Sequence, residues 1–497
     1  MYTLTIPLNI SYSYNRNLGK LFKTKQRIKN ILINHCNKCL KGLENNILYQ
    51  NLVTQYRNTK DKKLKSKIVK QLNEIILRYG LTEFDLIEFA KPLRQKYKNK
   101  LTSHEVDCIV ADVYSGVQNI IYSKGKELHI KSLYDIHSIS AKDLTNGLKF
   151  DKENLIIYQG NNKHKIPLPL KIDPKNLYIQ ECLLEDIDKI KFCRIIRKQF
   201  PNYYHYYIQF CIDSISPNKL KIRDGTSGID IGTQTVAVVN DGKCILTELA
   251  METDEYNSKI QKLQRKLDRN RQETNKELYN KNGTVKKGSK GKFKKSKNYI
   301  KLQRQLRTVY RKKSEYTRQE HNKLVNEIIQ MSKQGVYIEP MNYRALAKKS
   351  KSKTQKSNKV KIIKGKKVQI YKKKRRFGKS INNKSPGLFI NILKYKCGFN
   401  QIPYYEIDRT SFKASQYNHL TDTYIKKDLS QRWNILGKDK IQRDLYSAFL
   451  IKNSNSDLTK ADKDKCNAEY PQFKKLHNKE IKRLQNSNIK RLQSLGI

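Results

Sequence analysis

TSGIDIGTQTVAVVNDGKCIL, residues 226–246, places one carboxylate, Asp230, inside a run that otherwise has the composition of a buried strand. Ile229, Ile231, Val236, Ala237, Val238 and Val239 put apolar groups on both faces, the pattern of a central strand covered on each side. Burying an unpaired carboxylate costs several kcal/mol, so Asp230 needs a cation, either a metal or a basic side chain. Gly228 and Gly232 leave room for backbone or ligand to come close. Asn240-Asp241-Gly242 reads as a turn into a second strand, Lys243 to Thr247, so a hairpin carrying an inward acid is expected. On this stretch alone, an ordinary strand whose Asp is neutralised by a neighbouring Arg is the better explanation of the pattern.

Two more acids lie downstream. In GVYIEPMNYRAL, Val336, Tyr337 and Ile338 form a short strand with Glu339 at its end, and Pro340 stops the ladder. In IQRDLYSAFLI, residues Ile441, Asp444, Leu445, Ala448 and Phe449 fall at helical spacing on one face, so Asp444 points inward with the apolar side chains. Three inward carboxylates can hold two divalent ions about 3.5–4 Å apart, which activates a water on one side of a phosphodiester and stabilises the leaving oxygen on the other. Oxygen-only ligands select Mg²⁺ or Mn²⁺. Asp230 is then expected to bridge, with Glu339 and Asp444 completing one metal each. Strand hairpin, long helices, strand with Glu, strand and helix with Asp is an order that suits a split RNase H-like fold.

The rest of the 497 residues fits a polyanion-binding protein. Lys+Arg number 103 against 45 Asp+Glu, a formal net charge of +58, which points to nucleic acid. No apolar run is long enough to span a bilayer, and MYTLTIPLNIS lacks the layout of a signal peptide. The nine Cys have no framework spacing, which suits reduced thiols in a cytosol, and Cys36-x-x-Cys39 reads as a pair of buried thiols. The 31 Tyr offer stacking platforms for bases.

Along the chain, residues 2–12 read as a strand, Leu18 to about Ser123 as helices, and His129 to about Asp213 as strands. A β-barrel-like module with a helical block inserted after its first strand accounts for that order. Tyr203, Tyr204 and Tyr206 belong either to its core or to an RNA surface. Two long helices are expected from about Asp254 to Glu277 and from Lys297 to Ser332. The loop NGTVKKGSKGKFKKSKN between them has no G-x-x-x-x-G-K-S/T match and no preceding strand, which excludes a P-loop. The basic run at 348–380 is read as a phosphate-contacting segment, and the tail from Ser454 as polar, helical and peripheral.

GIDIGTQTVAVV, VYIEPMN and QRDLYSAFLI resemble the three motifs of the RuvC nuclease domain of TnpB proteins and of the compact type V CRISPR effectors. The likeness extends loosely over nearly the whole chain and implies an α+β multidomain fold. Residues 1–14 and 127–224 would form a β-barrel wedge, 15–126 a helical recognition domain, and 225–408 with 436–497 the split RNase H-like (RuvC) domain. Residues 409–435 would be a target-strand-loading insert. The resemblance implies an RNA-guided DNA endonuclease with guide RNA and target DNA as partners, Mg²⁺ (or Mn²⁺) as cofactor, Asp230, Glu339 and Asp444 as catalytic metal ligands, and a prokaryotic cytoplasm as location. It admits a homodimer as well as a monomer. The insert, RTSFKASQYNHLTDTYIKKDLSQRW, has no Cys where the family carries a four-Cys zinc ribbon, so no zinc is expected, and packing around Trp433 and Tyr417 must hold it. Leu445-Tyr446-Ser447-Ala448 replaces the family's usual Asn-Ala-Ala. Arg443, Arg409, Lys427, Arg432 and Gln416 would line the path of a single strand, and Lys292, Lys373 and Arg375 would touch backbone phosphates. His419 is either structural or substrate-facing. A guided DNA-binding protein that no longer cuts, and an RNase H-fold transposase or recombinase acting without RNA, are the alternatives.

Overall fold

The computed structural model describes all residues except 60, 123–124, 162–163, 202, 217–219, 287–292, 348, 364–365, 376, 429–430 and 488–494, and leaves aside the side chains of 57, 349–363 and 366–375. The chain divides into two compact units, Met1–Lys219 and Leu220–Ile497.

In the first unit, strand Tyr2–Pro7 is followed by five helices, the first Tyr12–Glu44 and the fifth Ser103–Tyr122, before strands resume. The N-terminal strand pairs antiparallel with Tyr204–Ile212, which also pairs with Ile190–Gln199, so the helices are an insertion into a four-stranded sheet. The remaining strands, Gly147–Asp151, Ile156–Gly160 and Ile166–Pro169, form a separate three-stranded meander joined to the first by a bridge from Leu8 to Leu170. The strands of this unit thus pair as two sheets, and prolines 167 and 169 in the last strand remove the donors that would extend the meander. Helix Leu177–Asp186 interrupts the strand region, and Asn176 caps it through its side chain. Tyr206 is buried against Phe22, Tyr204 stacks on the Arg197 guanidinium, and Tyr203, just before the strand, is exposed.

The second unit is built on a five-stranded sheet. The run 226–240 is two strands, not one: Thr226–Ile231 and Thr235–Asn240 pair antiparallel across a turn at Gly232-Thr233-Gln234. Cys244–Glu248 adds a third antiparallel strand after the Asn-Asp-Gly turn. That turn is tied down by Asp241, which accepts from the Thr226 amide at 2.7 Å, and by the Asn240 amide group, which donates to the carbonyls of Thr226 and Met331. Helices Thr253–Thr274 and Lys297–Gln330 then cross back, and Gly335–Ile338 pairs parallel with Thr226–Ile231. Helix Pro386–Phe399, opened by its N-terminal Pro, leads to Tyr404–Glu406, parallel to Gly335–Ile338.

Strand alternation assigns the two faces. Ile229, Ile231, Val236, Val238, Val336 and Ile338 pack against Val325, Ile328 and Ile329 of helix Lys297–Gln330 and Phe389 and Leu393 of helix Pro386–Phe399. Ala237 and Val239 face the other way, onto Leu445, Ala448 and Phe449 of helix Arg443–Lys452 and onto Ile481 and Leu484 of helix Lys463–Gln485. The tail is thus core and not periphery: Cys466, Phe473 and His477 are buried along one side of its helix.

The basic run 349–375 forms an antiparallel hairpin, Lys349–Ile363 with Lys366–Arg375. Its lysine-rich text lacks the apolar alternation that marks a strand, and the sequence reading did not expect one. All nine Cys are unpaired. Among the described residues no helix is long and apolar enough to cross a membrane.

Candidate active site

Gly228 and Asp230 alternate with Ile229 and Ile231, so they lie on the sheet face covered by helix Arg443–Lys452. The register sets Asp230 against Ala237 and Ile338 against Ile229. Glu339 follows Ile338, and its amide donates to the Ile229 carbonyl at 3.3 Å, so alternation returns its side chain to the face of Asp230. Gly228 lets the helix descend onto the strand. A Cβ there would stand 2.2 Å from the Ala448 carbonyl oxygen and 2.4 Å from the Lys452 nitrogen. At the far end of the helix the buried Lys452 ammonium meets Asp241 and Glu469, each at 2.5 Å. At the near end stands Asp444, in the first turn, where the helix dipole favours a negative charge.

That first turn begins at Arg443. Ile441 belongs to a strand, Asp439–Gln442, paired with Trp433–Leu436, so the helical face read from Ile441 onward begins two residues too early. Gln442 is the cap that makes the difference. Its Oε1 accepts from the Leu445 amide at 2.8 Å, its Nε2 donates to Asp444 at 3.4 Å and to the Leu495 carbonyl at 3.1 Å, and its backbone amide donates to His477 Nε2 at 3.0 Å. Sequence reasoning passed over it because Gln is not a favoured N-cap. Gln442→Ala is expected to cost about 1–2 kcal/mol, from the lost cap and a stranded buried partner. Loosening Asp444 lowers any activity at the acids by roughly tenfold. An unchanged melting temperature would contradict that role.

Asp230, Glu339 and Asp444 line one cleft of ≈ 630 Å³, together with Gln416, Lys427, Arg432 and Arg443. Burial, then the negative charges of Asp444 and Glu339, hold the Asp230 carboxyl well above its ordinary range, and Arg443 offsets part of this. Burial also raises Glu339, against the pull of the Arg409 guanidinium. Tyr343, which the motifs did not flag, donates its hydroxyl to the Gly232 carbonyl at 3.3 Å, and its phenol is raised by burial and by Asp230 and Glu339.

The basic residues divide. Arg443 and Arg432 face Asp444, at 3.2 and 3.7 Å, as ion pairs. Arg443 also donates to the Gln431 carbonyl at 3.0 Å. Lys427 donates to Asn434 at 2.7 Å, and burial with the Arg443 charge lowers its pKa. Gln416 stands in the cleft wall, whereas Arg409 lines a separate open pocket with Asn342, Arg344 and Asp408. Lys292 lies outside the described residues; Lys373 and Arg375 fall on the basic hairpin, and their side chains lie outside them too. His419 is buried. Its Nδ1 pairs with the Tyr446 hydroxyl at 2.6 Å among the rings of Phe449 and Tyr470, and burial pushes its pKa down to about 4, a structural role. Tyr417 packs into the same core and donates to Asp422 at 2.9 Å, while Trp433 sets its ring edge-on to His477.

Among the described residues, no three His, Cys, Asp or Glu side chains stand close enough together to grip a metal as they are. The donor set nevertheless fits a hard divalent cation. It is all carboxylate, burial with the charges of Asp444 and Glu339 raises Asp230, burial raises Glu339, and the cations at Asp444 are Arg443 and Arg432 at 3.2 and 3.7 Å.

No protein-family profile matches this chain, and no curated protein does either. Among solved structures, a cryo-EM structure of a Cas12f1–sgRNA–target DNA complex is similar over 90% of this chain and 83% of its own, with a TM-score of 0.48 and 11% identity. A cryo-EM structure of a CRISPR–Cas12f ternary complex is similar over 91% and 99%, with a TM-score of 0.26 and 11% identity.

Proposed function

We propose that this chain is an RNA-guided DNA endonuclease of the RuvC type, cutting phosphodiester bonds with divalent cations held by Asp230, Glu339 and Asp444. The observation that carries the cutting half is the meeting of three acids, separated by more than a hundred residues at each step, on one sheet face and in one cleft. Mg²⁺ or Mn²⁺ bound there supplies the positive charge that activates a water and steadies the leaving oxygen. The chain's own part is to gather the carboxylates, to hold Asp444 through Gln442, and to line the approach with Lys427, Arg432 and Arg443 for a backbone phosphate. The guided half is supported by the likeness of GIDIGTQTVAVV, VYIEPMN and QRDLYSAFLI to the motifs of that family and by the net charge of +58, which suits a polyanionic partner. Guide pairing would then choose the target, with the protein gripping the duplex by shape and charge.

The test is to express the protein with its flanking genomic DNA, sequence the RNA that co-purifies, and offer the complex matched DNA with Mg²⁺. A discrete RNA and guided cleavage are expected. RNA without cleavage would leave a binding-only protein, and cleavage or strand transfer without RNA would return the chain to the recombinases.

Metal binding is expected to be pH-dependent. Asp230 and Glu339 are held above their ordinary carboxylate ranges, so an ion binding them competes with protons at higher pH than it would at ordinary carboxylates. Affinity for Mn²⁺ should therefore rise with pH through that range, by about tenfold per unit for each proton released. A Mn²⁺ titration read by electron paramagnetic resonance at pH 6 and pH 8 decides, and equal affinities would mean that the acids are already ionised.

A further inference from the structure

Beside the acid cleft lies a second open cavity of ≈ 640 Å³, and the two share Gln234 and Phe377 in their walls. Its lining is rich in carboxamides. Gln234 comes from the turn after Ile231; Asn257, Gln261 and Gln264 come from helix Thr253–Thr274; Asn383 comes from helix Gly378–Lys384. Spacings of four and three residues put the helical trio on one face. In a chain with 103 Lys+Arg, a wall made for phosphates would be cationic. Here the lysines among the lining residues are Lys379 and Lys384, and the Lys384 ammonium is buried against Glu248 at 2.8 Å.

The amides are not equivalent. Asn257 and Asn383 accept from Lys313 at 2.8 and 3.1 Å, and Gln264 donates to the Tyr310 hydroxyl at 3.2 Å. Gln234 and Gln261 are exposed and, among the described residues, their side chains hydrogen-bond to nothing. A free carboxamide offers a donor and an acceptor side by side, which matches the N7 acceptor and N6 donor of adenine. Phe377, 45% exposed where the two cavities meet, offers a face on which a neighbouring base can stack.

We infer that this cavity takes the base of a nucleotide adjoining the one whose phosphate lies at the acids, and that Gln261 with Gln234 makes it prefer adenine. The inference rests on the nuclease reading for the path of the strand, and it adds a sequence preference at the cut that guide pairing does not impose.

Fluorescence anisotropy without divalent cation tests it, so that nothing is cut. The probes are a labelled single-stranded oligothymidylate and the same oligonucleotide with adenine at every fifth position, too sparse for self-pairing. The adenine probe is expected to bind wild-type protein about tenfold more tightly, the scale of one good bidentate contact. Gln261→Leu should remove most of that difference while leaving oligothymidylate binding and the melting temperature unchanged, and adding Gln234→Leu should remove the rest. Phe377→Ala should weaken both probes alike. Equal affinities in the wild type, or a preference that survives the double substitution, would overturn the inference. Absence of cleavage in Mg²⁺ alongside a Gln261-dependent preference would instead sink the nuclease reading and leave the base site standing.

Discussion

Asp230→Asn is expected to abolish DNA cleavage while making the metal-free protein more stable. The amide keeps the shape of the side chain and removes the charge. A metal site that loses one carboxylate loses several kcal/mol of transition-state stabilisation, and at 1.36 kcal/mol per decade about 4 kcal/mol is roughly a 10³-fold fall in rate. The stability gain comes from the same charge. Asp230 is a carboxylate held near two others, with Arg443 as its counterweight, so its folded-state pKa is raised. The native state therefore binds this proton more tightly than the unfolded chain does, and stability is lost as pH climbs from the ordinary aspartate value through the raised one. Asn carries no such penalty. At pH 8 its melting temperature should exceed that of the wild type by a few degrees, at about 2–4 °C per kcal/mol for a unit of this size. The gap should close toward pH 4. Thermal melts of both proteins across that range, in chelator, with cleavage assays in Mg²⁺, are the measurement. A variant that cuts at the wild-type rate, or that melts lower at pH 8, would remove Asp230 from the centre of the site.

Gly228→Ala should damage stability and activity together. The new methyl group would sit 2.2 Å from the Ala448 carbonyl oxygen and 2.4 Å from the Lys452 nitrogen, and both are backbone, so neither can rotate away. Helix Arg443–Lys452 must lift or tilt, although Leu445, Ala448 and Phe449 pack into the core beneath it and Lys452 is pinned to Asp241 and Glu469. Overpacking of this kind costs about 1–3 kcal/mol. Asp444 rides on the same helix, and a displacement near 1 Å at a reacting centre can cost about 10²-fold in rate. The expected result is a lower melting temperature with cleavage reduced by about two orders of magnitude. Gly232→Ala is the control, because a Cβ there meets nothing closer than the Thr235 hydroxyl at 3.4 Å. If both alanines behave alike, the close approach at Gly228 is not what seats the helix.

The acids were legible in the sequence because each broke a local pattern. A carboxylate in the apolar run at 229–239, another at a strand end before Pro340, and a third on a helix stripe are visible without coordinates, since alternation and helical spacing are local properties of the chain. The insertion of helices after the first strand, the two long helices and the Ser-Pro start of Pro386–Phe399 were legible for the same reason. Where the text was less regular, it misled. The run 226–240 reads as one strand because Gly232-Thr233-Gln234 is too short to interrupt its hydrophobicity, and the tail from Ser454 reads as peripheral because its apolar residues are spread thinly over a polar helix.

Residue types and periods along the chain determined which side chains point inward and that three acids would need a cation. Tertiary structure alone decided which partners they meet. Arg443 and Arg432, expected to hold substrate, face Asp444; Gln442, which no propensity singles out, caps the helix that carries it; and the carboxamides of Gln234, Asn257, Gln261 and Asn383 gather around one cavity from three separate elements. The physical reason is that a period states only the direction of a side chain from its own backbone. The distance to a partner is set by how closely two elements can approach, and here that is decided by the missing Cβ at Gly228.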